Sequence, residues 1–256
     1  GVALPQATLE ACRKADAILF GAMGLPHVRA EDGTEIIPQL DLRFALDLYA
    51  GVRPVRSFAG LPGPLADPRA AQIDLVLVRE STEGLFHARG RGRIEGVGDA
   101  QAAYDTMKIT RRGTARVCDF ALRLARQRKA RGLPGRVTNV DKANVFTSMA
   151  FWRQVFDERA QAFPDVAVEH AYVDAMALNL VMKPWAYDVL VTENMFGDIL
   201  SDLIAALAGG MGMAPSADIG DDYALFQPAH GTAPDIVGQG IANPTAAFLA
   251  AAMLLD

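Results

Sequence analysis

Residues 192–210 read Thr192-Glu-Asn-Met-Phe-Gly-Asp-Ile-Leu-Ser-Asp-Leu-Ile-Ala-Ala-Leu-Ala-Gly-Gly210 and join the end of a strand to a helix. The run Val189–Thr192 is apolar and β-branched, as in a buried strand. Apolar residues dominate Ile199–Ala208, which predicts a helix packed on that strand. Asp198 and Asp202 interrupt the pattern one helical turn apart, so their carboxylates share one face of the helix.

Spacing alone leaves two interpretations of these carboxylates open. Asp198 would serve equally well as a cap or first-turn acid that interacts with the helix dipole. Asp202 lies a turn further in among apolar residues, and a buried carboxylate needs a cation or several donors. Asp174 is a third acid in a similarly apolar segment, Tyr172–Ala177. Three oxygen ligands without His or Cys suit Mg²⁺ or Mn²⁺.

Short β-branched runs alternate with helical patterns along the chain, which predicts an α/β fold with mostly parallel strands. The predicted strands are Ala17–Phe20, Leu75–Val78, Val137–Val140, Val166–Glu169 and Val189–Thr192. The predicted helices are Leu9–Lys14, Thr114–Lys129, Val145–Ala162, Ala175–Lys183, Ile199–Ala208 and Thr245–Leu255.

Two segments rich in glycine or proline, Gly51–Pro68 and Gly209–Gly220, are predicted to cross between two domains. Residues 1–50 and 209–256 would form one discontinuous domain, and residues 51–208 would form the other. The cleft between the two domains is the expected ligand site.

Polar side chains follow several predicted strands, and in open α/β sheets ligands bind at the carboxyl ends of strands. These clusters therefore predict a single cleft that contains Arg79, Lys142, Asp174 and Asp198. Arginines bind carboxylates bidentately, so Arg43, Arg53 and Arg79 together would suit a di- or tricarboxylate, although each alone would equally form a surface ion pair. A lysine near a metal and arginines, such as Lys142, would have a lowered pKa and act as a base.

Composition excludes several classes of protein. The chain has 256 residues, is 51% apolar, carries a net charge of -5 and has only two cysteines. No apolar run is long enough to span a membrane, and the acidic balance argues against nucleic-acid binding. The basic run Arg123–Arg131 is read as the solvated face of a helix. Cys12 and Cys118 are expected to be reduced core thiols of a cytoplasmic protein.

The sequence has no P-loop and no glycine fingerprint of a Rossmann dinucleotide site. The remaining candidate is the loop 226–244, where His230-Gly231 would offer backbone donors to phosphates. An ordinary surface loop is the alternative interpretation of that segment.

Four motifs in this order resemble the β-decarboxylating dehydrogenases, the family of isocitrate, isopropylmalate, homoisocitrate, tartrate and D-malate dehydrogenases. They are Val140-Asp-Lys-Ala-Asn-Val145, Val173-Asp-Ala-Met-Ala177, Gly197-Asp-Ile-Leu-Ser-Asp202 and His230-Gly-Thr-Ala-Pro-Asp235. The resemblance runs over nearly the whole chain. It implies a fold of two α/β domains around a cleft, and oxidative decarboxylation of a 2-hydroxy dicarboxylate by hydride transfer and metal-assisted loss of CO₂.

The same resemblance implies a role for each matching residue. The metal ligands would be Asp174, Asp198 and Asp202, and the substrate carboxylates would contact Arg43, Arg53, Arg79 and Lys142. The catalytic positions would be Lys142, Asp174 and Phe86, and the cofactor would contact Asn144, Gln227, His230, Gly231, Thr232, Ala233, Asp235 and Asn243. It also implies a homodimer in which Lys142 and Asp174 reach the partner's site. A carboxylate at 235 would repel a 2′-phosphate, so the expected cofactor is NAD, with Mg²⁺ or Mn²⁺.

Three departures from the family pattern qualify these roles. Phe86 stands where the family normally has a tyrosine that donates a proton, and Gln227 stands where glutamate is usual. The opening strand with its Gly-Asp-Gly-Ile-Gly-Pro motif and the closing helices and strand are not in the sequence. We therefore expect both ends of the dinucleotide-binding domain to be missing.

The resemblance implies that Glu35–Leu42, just before Arg43, is the helix that selects the substrate. Its Ile36, Ile37 and Leu40 offer an apolar surface, so the expected substrate is a 3-alkylmalate, foremost 3-isopropylmalate. Tartrate, D-malate, isocitrate and homoisocitrate remain alternatives. A non-catalytic paralogous subunit is a further alternative, motivated by Phe86 and Gln227, whereas phosphoryl transfer lacks a phosphate-binding loop.

Overall fold

The computed structural model describes residues 2–58, 60–61 and 63–256, so Ala59 and Pro62 of the predicted crossing segment lie outside the described residues. The strands are β1 (Ile18–Leu19), β2 (Ala50–Arg56), β3 (Asp74–Glu80), β4 (Arg93–Glu95), β5 (Ala102–Tyr104), β6 (Arg136–Asp141), β7 (Ala167–Tyr172), β8 (Val189–Thr192), β9 (Pro215–Ile219) and β10 (Ala224–Pro228). The helices are α1 (Gln6–Lys14), α2 (Pro38–Ala45), α3 (Arg111–Ala130), α4 (Thr147–Ala160), α5 (Val173–Met182), α6 (Asn194–Leu207) and α7 (Thr245–Leu255).

Eight strands form one sheet in the order β1-β10-β9-β2-β3-β8-β6-β7. Parallel pairs join β3, β8, β6 and β7 in one half and join β1 to β10 at the other end. Three antiparallel pairs in the middle join β10 to β9, β9 to β2, and β2 to β3. The predicted α/β fold with mainly parallel strands is confirmed, and β4 and β5 form a separate hairpin.

Sequence analysis does not predict β2, β9 and β10, and the composition of β2 explains why. Gly51 and Pro54 are uncommon inside strands and are more typical of turns. In the structure the pairing between β2 and β9 covers residues 50–52 of β2. Pro54 lies beyond this stretch, where β2 is paired with β3. Both predicted crossing segments thus contain a strand, and the two strands pair with each other. The domain boundaries at 50 and 209 remain a prediction.

Helix α6 begins earlier than predicted because Glu193 caps it. The Glu193 carboxylate accepts hydrogen bonds from Met195 N at 3.1 Å and Phe196 N at 2.7 Å. Asp198 therefore lies inside the helix, and its interpretation as a cap is wrong.

The expectation that Asp202 is buried is also wrong. Leu200, Ile204 and Leu207 turn towards the sheet and are buried, whereas Ile199 and Asp202 lie on the exposed side of α6. Asp174 is also more exposed than its apolar neighbours in sequence suggest, since 68% of its side chain is exposed in the first turn of α5. Apolar neighbours in sequence thus did not indicate burial, because these helices have two faces.

The core lies on both faces of the sheet. Helices α3 and α4 cover one face with four fully buried side chains, Val117, Leu122, Trp152 and Phe156. Helices α5 and α6 cover the other face. Cys12 and Cys118 are buried free thiols, as expected. Within the described ranges, no helix is long and apolar enough to cross a bilayer.

Gly197 lets α6 approach β3 closely, which places the α6 carboxylates beside Arg79. A Cβ atom added at Gly197 would lie 2.7 Å from both Cβ and Cγ of Arg79. Real carbon atoms do not approach so closely, so any side chain here would push the helix away from the strand.

We predict that Gly197→Ala lowers the free energy of unfolding by about 1–3 kcal/mol, the usual cost of overpacking a core. Urea denaturation followed by circular dichroism measures the change. Gly21→Ala is the matched control, because a Cβ atom at Gly21 meets nothing within 4 Å. Equal stability of the two variants would show that the contact between α6 and β3 is not tight.

Candidate active site

Three arginines from separate elements line one pocket of about 210 Å³. Arg43 lies in the last turn of α2, Arg53 on β2 and Arg79 at the end of β3, and each is at most 7% exposed. The remaining lining residues are Ile37, Gln39, Leu40, Phe86, Asp198, Ser201, Asp202, Ser216, Gln227 and Ala229. The structure thus brings together the three arginines that the sequence singled out.

Arg79 is held by two acceptors from α6. Its Nε and Nη2 donate to Asn194 Oδ1 at 2.8 and 2.6 Å, and its Nη1 donates to Asp198. The Phe86 ring lies against the guanidinium, 4.9 Å from Arg79 Cζ to the ring centroid. Burial, followed by repulsion from Arg43, lowers the pKa of Arg79 to about 10, so the group stays cationic at neutral pH.

Asp198 and Asp202 line the same pocket on successive turns of α6. Partial burial, followed by the neighbouring Asp198 carboxylate, raises the pKa of Asp202. Two carboxylates that repel each other at the edge of a pocket are a donor set that fits a hard divalent cation. Among the described residues, however, no group of three acids, histidines or cysteines is close enough to hold a metal.

Lys142 and Asp174 form a second group that does not line the arginine pocket. Lys142 Nζ donates to Asp174 Oδ1 at 2.6 Å, and this bond lowers the pKa of Asp174. Lys142 and Asp174 follow β6 and β7, the last two strands of the sheet, whereas Arg79 lies in β3 and Asp198 in the helix after β8. Within one chain these two residues therefore lie outside the arginine pocket, and a single cleft that unites all four clusters remains a prediction.

The predicted cofactor residues are spread over the turn after β10 and three other places. Gln227 lines the arginine pocket, and Asn144 is exposed after β6. His230, Gly231, Thr232, Ala233 and Asp235 follow β10, where Ala233 adopts a left-handed conformation with φ of 45°. Asn243 Oδ1 accepts from Thr245 N and Oγ1 at 3.0 and 2.7 Å, which supports the start of α7.

This turn suits a dinucleotide in its chemistry. Gly231 and Asp235 are exposed, and a Cβ at Gly231 would meet only Met23 O, at 3.6 Å. Backbone amide groups and a free carboxylate at a turn fit phosphate oxygens and ribose hydroxyls, respectively.

Three polar atoms of the pocket are buried without a hydrogen-bond partner in the described part of the chain. They are Gln39 Oε1, Arg43 Nε and Ser216 Oγ. Buried polar groups are normally paired, so unpaired ones that share a pocket indicate a polar ligand.

Sequence analysis missed Gln39, Ser216 and Asp218. Asp218 lies on β9 and accepts from Arg43 Nη2 at 3.1 Å and Arg53 Nη2 at 3.4 Å. The segment Pro215–Ile219 carries a signal, an acid inside an alternating run, but the surrounding glycines favoured a loop over a strand.

Comparisons with known proteins show the family of the chain. The family model described as isocitrate/isopropylmalate dehydrogenase matches residues 1–256. A 3-isopropylmalate dehydrogenase of Desulfotalea psychrophila is 46% identical over 262 residues, covering 100% of this chain and 72% of that protein. A 3-isopropylmalate/3-methylmalate dehydrogenase of Methanocaldococcus jannaschii is 43% identical over 256 residues, covering 100% of this chain and 72% of that protein.

A solved structure shows the same fold. The isocitrate dehydrogenase from Methylococcus capsulatus superposes with a TM-score of 0.85 at 40% sequence identity, covering 98% of this chain and 70% of that one. With the family model, the relatives and the fold in agreement, the chain belongs to the isocitrate/isopropylmalate dehydrogenase family.

Proposed function

We propose that this chain catalyses NAD-dependent oxidative decarboxylation of a 2-hydroxy dicarboxylate, with 3-isopropylmalate as the first substrate to test. Family membership makes the chain a decarboxylating oxidoreductase that acts on a CH–OH group. The observation that carries the proposal is the small pocket in which three buried arginines lie beside two carboxylates.

Arg43 is the arginine best prepared to bind a substrate carboxylate. Among the described residues its side chain bonds only Asp218, through Nη2, whereas Arg53 Nη1 donates to Val52 O and Ala217 O and Arg79 donates to Asn194. A substrate carboxylate that accepts from a second donor of Arg43 would add a charge-assisted hydrogen bond. Arg53 and Arg79 would contribute mainly through the field of their charges.

Asp198 and Asp202 would hold the divalent cation, Mg²⁺ or Mn²⁺, at the edge of this pocket. When bound, the cation polarises the substrate oxygens and stabilises the negative charge that develops as CO₂ leaves. Binding would also relieve the repulsion between the two carboxylates, which together with the larger effect of partial burial raises the pKa of Asp202.

The turn after β10 would hold the cofactor, with Asp235 accepting from the ribose hydroxyls. When bound, NAD⁺ accepts the hydride from C2 of the substrate. Gln227 ends β10 within the pocket and would contact the nicotinamide side, where its neutral amide replaces the usual carboxylate.

Lys142 and Asp174 would complete the site from a second copy of the chain. In one chain they form their own pair away from the arginines, although the chemistry requires a base near the C2 hydroxyl. Helices α5 and α6 expose Leu178, Met182 and Ile199 by 64%, 64% and 63%, and large exposed apolar side chains of this kind mark protein interfaces. A homodimer through these helices would bury them, and Lys142 would take the hydroxyl proton across the interface.

Phe86 limits the last step, because the carbon that loses CO₂ must then gain a proton. The ring lies over Arg79 at the pocket wall and has no hydroxyl to donate that proton. Water must supply it, which makes this step the slow one in our proposal.

Gln39 favours a second candidate substrate class. Its unpartnered Oε1 lies in the wall formed by Ile37 and Leu40, so this wall is not purely apolar. A hydroxyl or another polar group at C3, as in tartrate, would pair with the Gln39 amide.

We predict that Phe86→Tyr raises kcat with the best malate by at least about tenfold, because a positioned proton donor replaces water. Steady-state NADH formation measures the rate. Phe44→Tyr adds a hydroxyl outside the arginine pocket and should leave the rate unchanged. If Phe86→Tyr gains nothing, protonation is not limited by this position.

We predict that Gln39→Leu raises kcat/KM for 3-isopropylmalate and lowers it for tartrate, by about 10-fold each, because one polar contact is exchanged for apolar burial. Parallel assays with D-malate, isocitrate and homoisocitrate complete the comparison. A parent enzyme that already prefers tartrate would establish the second candidate, and a parent inactive on all five would contradict the proposed function.

We predict that two inactive variants, Lys142→Met and Asp198→Asn, restore roughly a quarter of the parent activity when unfolded together and refolded as a mixture. Half of the dimers would be mixed, and each mixed dimer would contain one site with both residues intact. Each variant refolded alone is the control. A mixture without activity would show that the sites are not shared between subunits.

A further inference from the structure

Asp218 is a buried acid that the proposed reaction does not use. It lies on β9, is 1% exposed, and sits opposite Gly51 in the register between β2 and β9. A Cβ atom at Gly51 would lie 3.2 Å from Asp218 Oδ1 and 2.6 Å from Ser81 Oγ. A side chain at position 51 would therefore clash with the Ser81 hydroxyl and crowd the Asp218 carboxylate, so glycine here gives the carboxylate its space.

The carboxylate divides its two oxygens between two arginines. Oδ2 accepts from Arg43 Nη2 at 3.1 Å, and Oδ1 accepts from Arg53 Nη2 at 3.4 Å. Burying two guanidinium groups side by side is unfavourable without a counter-charge. Burial alone would raise the pKa of Asp218, but Arg43, Arg53 and Arg79 hold it below its usual value, so the carboxylate is ionised.

Asp218 also competes with an incoming anion for the same donors. It occupies Nη2 of Arg43 and Nη2 of Arg53, so neither of these donors is free for a ligand. A carboxylate ligand therefore enters a pocket whose positive charge is already partly neutralised. An anion that makes no further contacts therefore gains little binding free energy from such a pocket.

We propose that Asp218 is a positioning residue that holds Arg43 and Arg53 ready for a substrate carboxylate and weakens the binding of simple inorganic anions. This inference rests on the arginine pocket of the proposed function. The carboxylate thereby favours ligands that add contacts, such as a dicarboxylate, over anions attracted by charge alone.

The test measures sulfate binding to the full chain with Asp218→Asn, which keeps the shape of the side chain and removes its charge. Thermal denaturation is recorded over a sodium sulfate titration at constant ionic strength, adjusted with sodium chloride. We expect a lower Tm without sulfate and a dissociation constant for sulfate lower by on the order of tenfold, because one repelling charge close to the anion is removed. A dissociation constant equal to or above that of the parent would overturn the proposal.

Asp188→Asn is the matched control. Asp188 is also 1% exposed, but it accepts from Arg128 Nε and Arg136 N, and neither of these residues lines the arginine pocket. This variant should lose stability and keep the sulfate affinity of the parent. A similar gain in sulfate affinity in both variants would mean that the effect does not come from the pocket, and would overturn the proposal.

A double variant removes the opposite charges together. Arg53→Met with Asp218→Asn should return the sulfate dissociation constant towards the parent value; no return would count against the proposal. If Asp218→Asn alone does not fold, folding recovered by sulfate or by the added Arg53→Met supports the proposal, and folding recovered by neither overturns it. Sulfate binding needs neither cofactor nor metal, so its outcome is independent of whether NADH forms.

Discussion

The antiparallel pairing of β2 with β9 is the constraint on which the site depends. It joins the two halves of the sheet, and it places Gly51 of β2 directly opposite Asp218 of β9. The Asp218 carboxylate then lies between Arg43, which comes from α2, and Arg53, which comes from β2 itself. A pocket with three buried arginines can form here because β9, the strand that joins the two halves of the sheet, also supplies the Asp218 carboxylate.

The part of the site around Arg79 depends on tight packing of α6 against β3. Gly197 brings α6 against Arg79, and the Asn194 amide oxygen takes two of the guanidinium donors. Each of the three arginines therefore already donates a hydrogen bond to a protein acceptor without any ligand. Arg43 has the fewest such acceptors, since among the described residues only Asp218 bonds its side chain.

Much of the fold and part of the site could be predicted from the sequence. Periodicity located β8 and α7 at their observed bounds, since both have a simple apolar pattern. It failed for β2, whose Gly51 and Pro54 resemble a turn until the pairing partners are known. It also could not show that Lys142 and Asp174 lie apart from the arginines, because strand order in a sheet depends on contacts distant in sequence. Asp218 was missed because the glycines around Pro215–Ile219 favoured a loop over a strand.

The separation of Lys142 from the arginine pocket has a consequence for how the protein behaves on dilution. Under the proposed sharing of residues, an isolated chain contains two half-sites and no complete one. Dissociation would then abolish turnover without unfolding anything, and specific activity would fall with protein concentration below the dimer dissociation constant. The amount of chain present in the cell would itself set the fraction that is active.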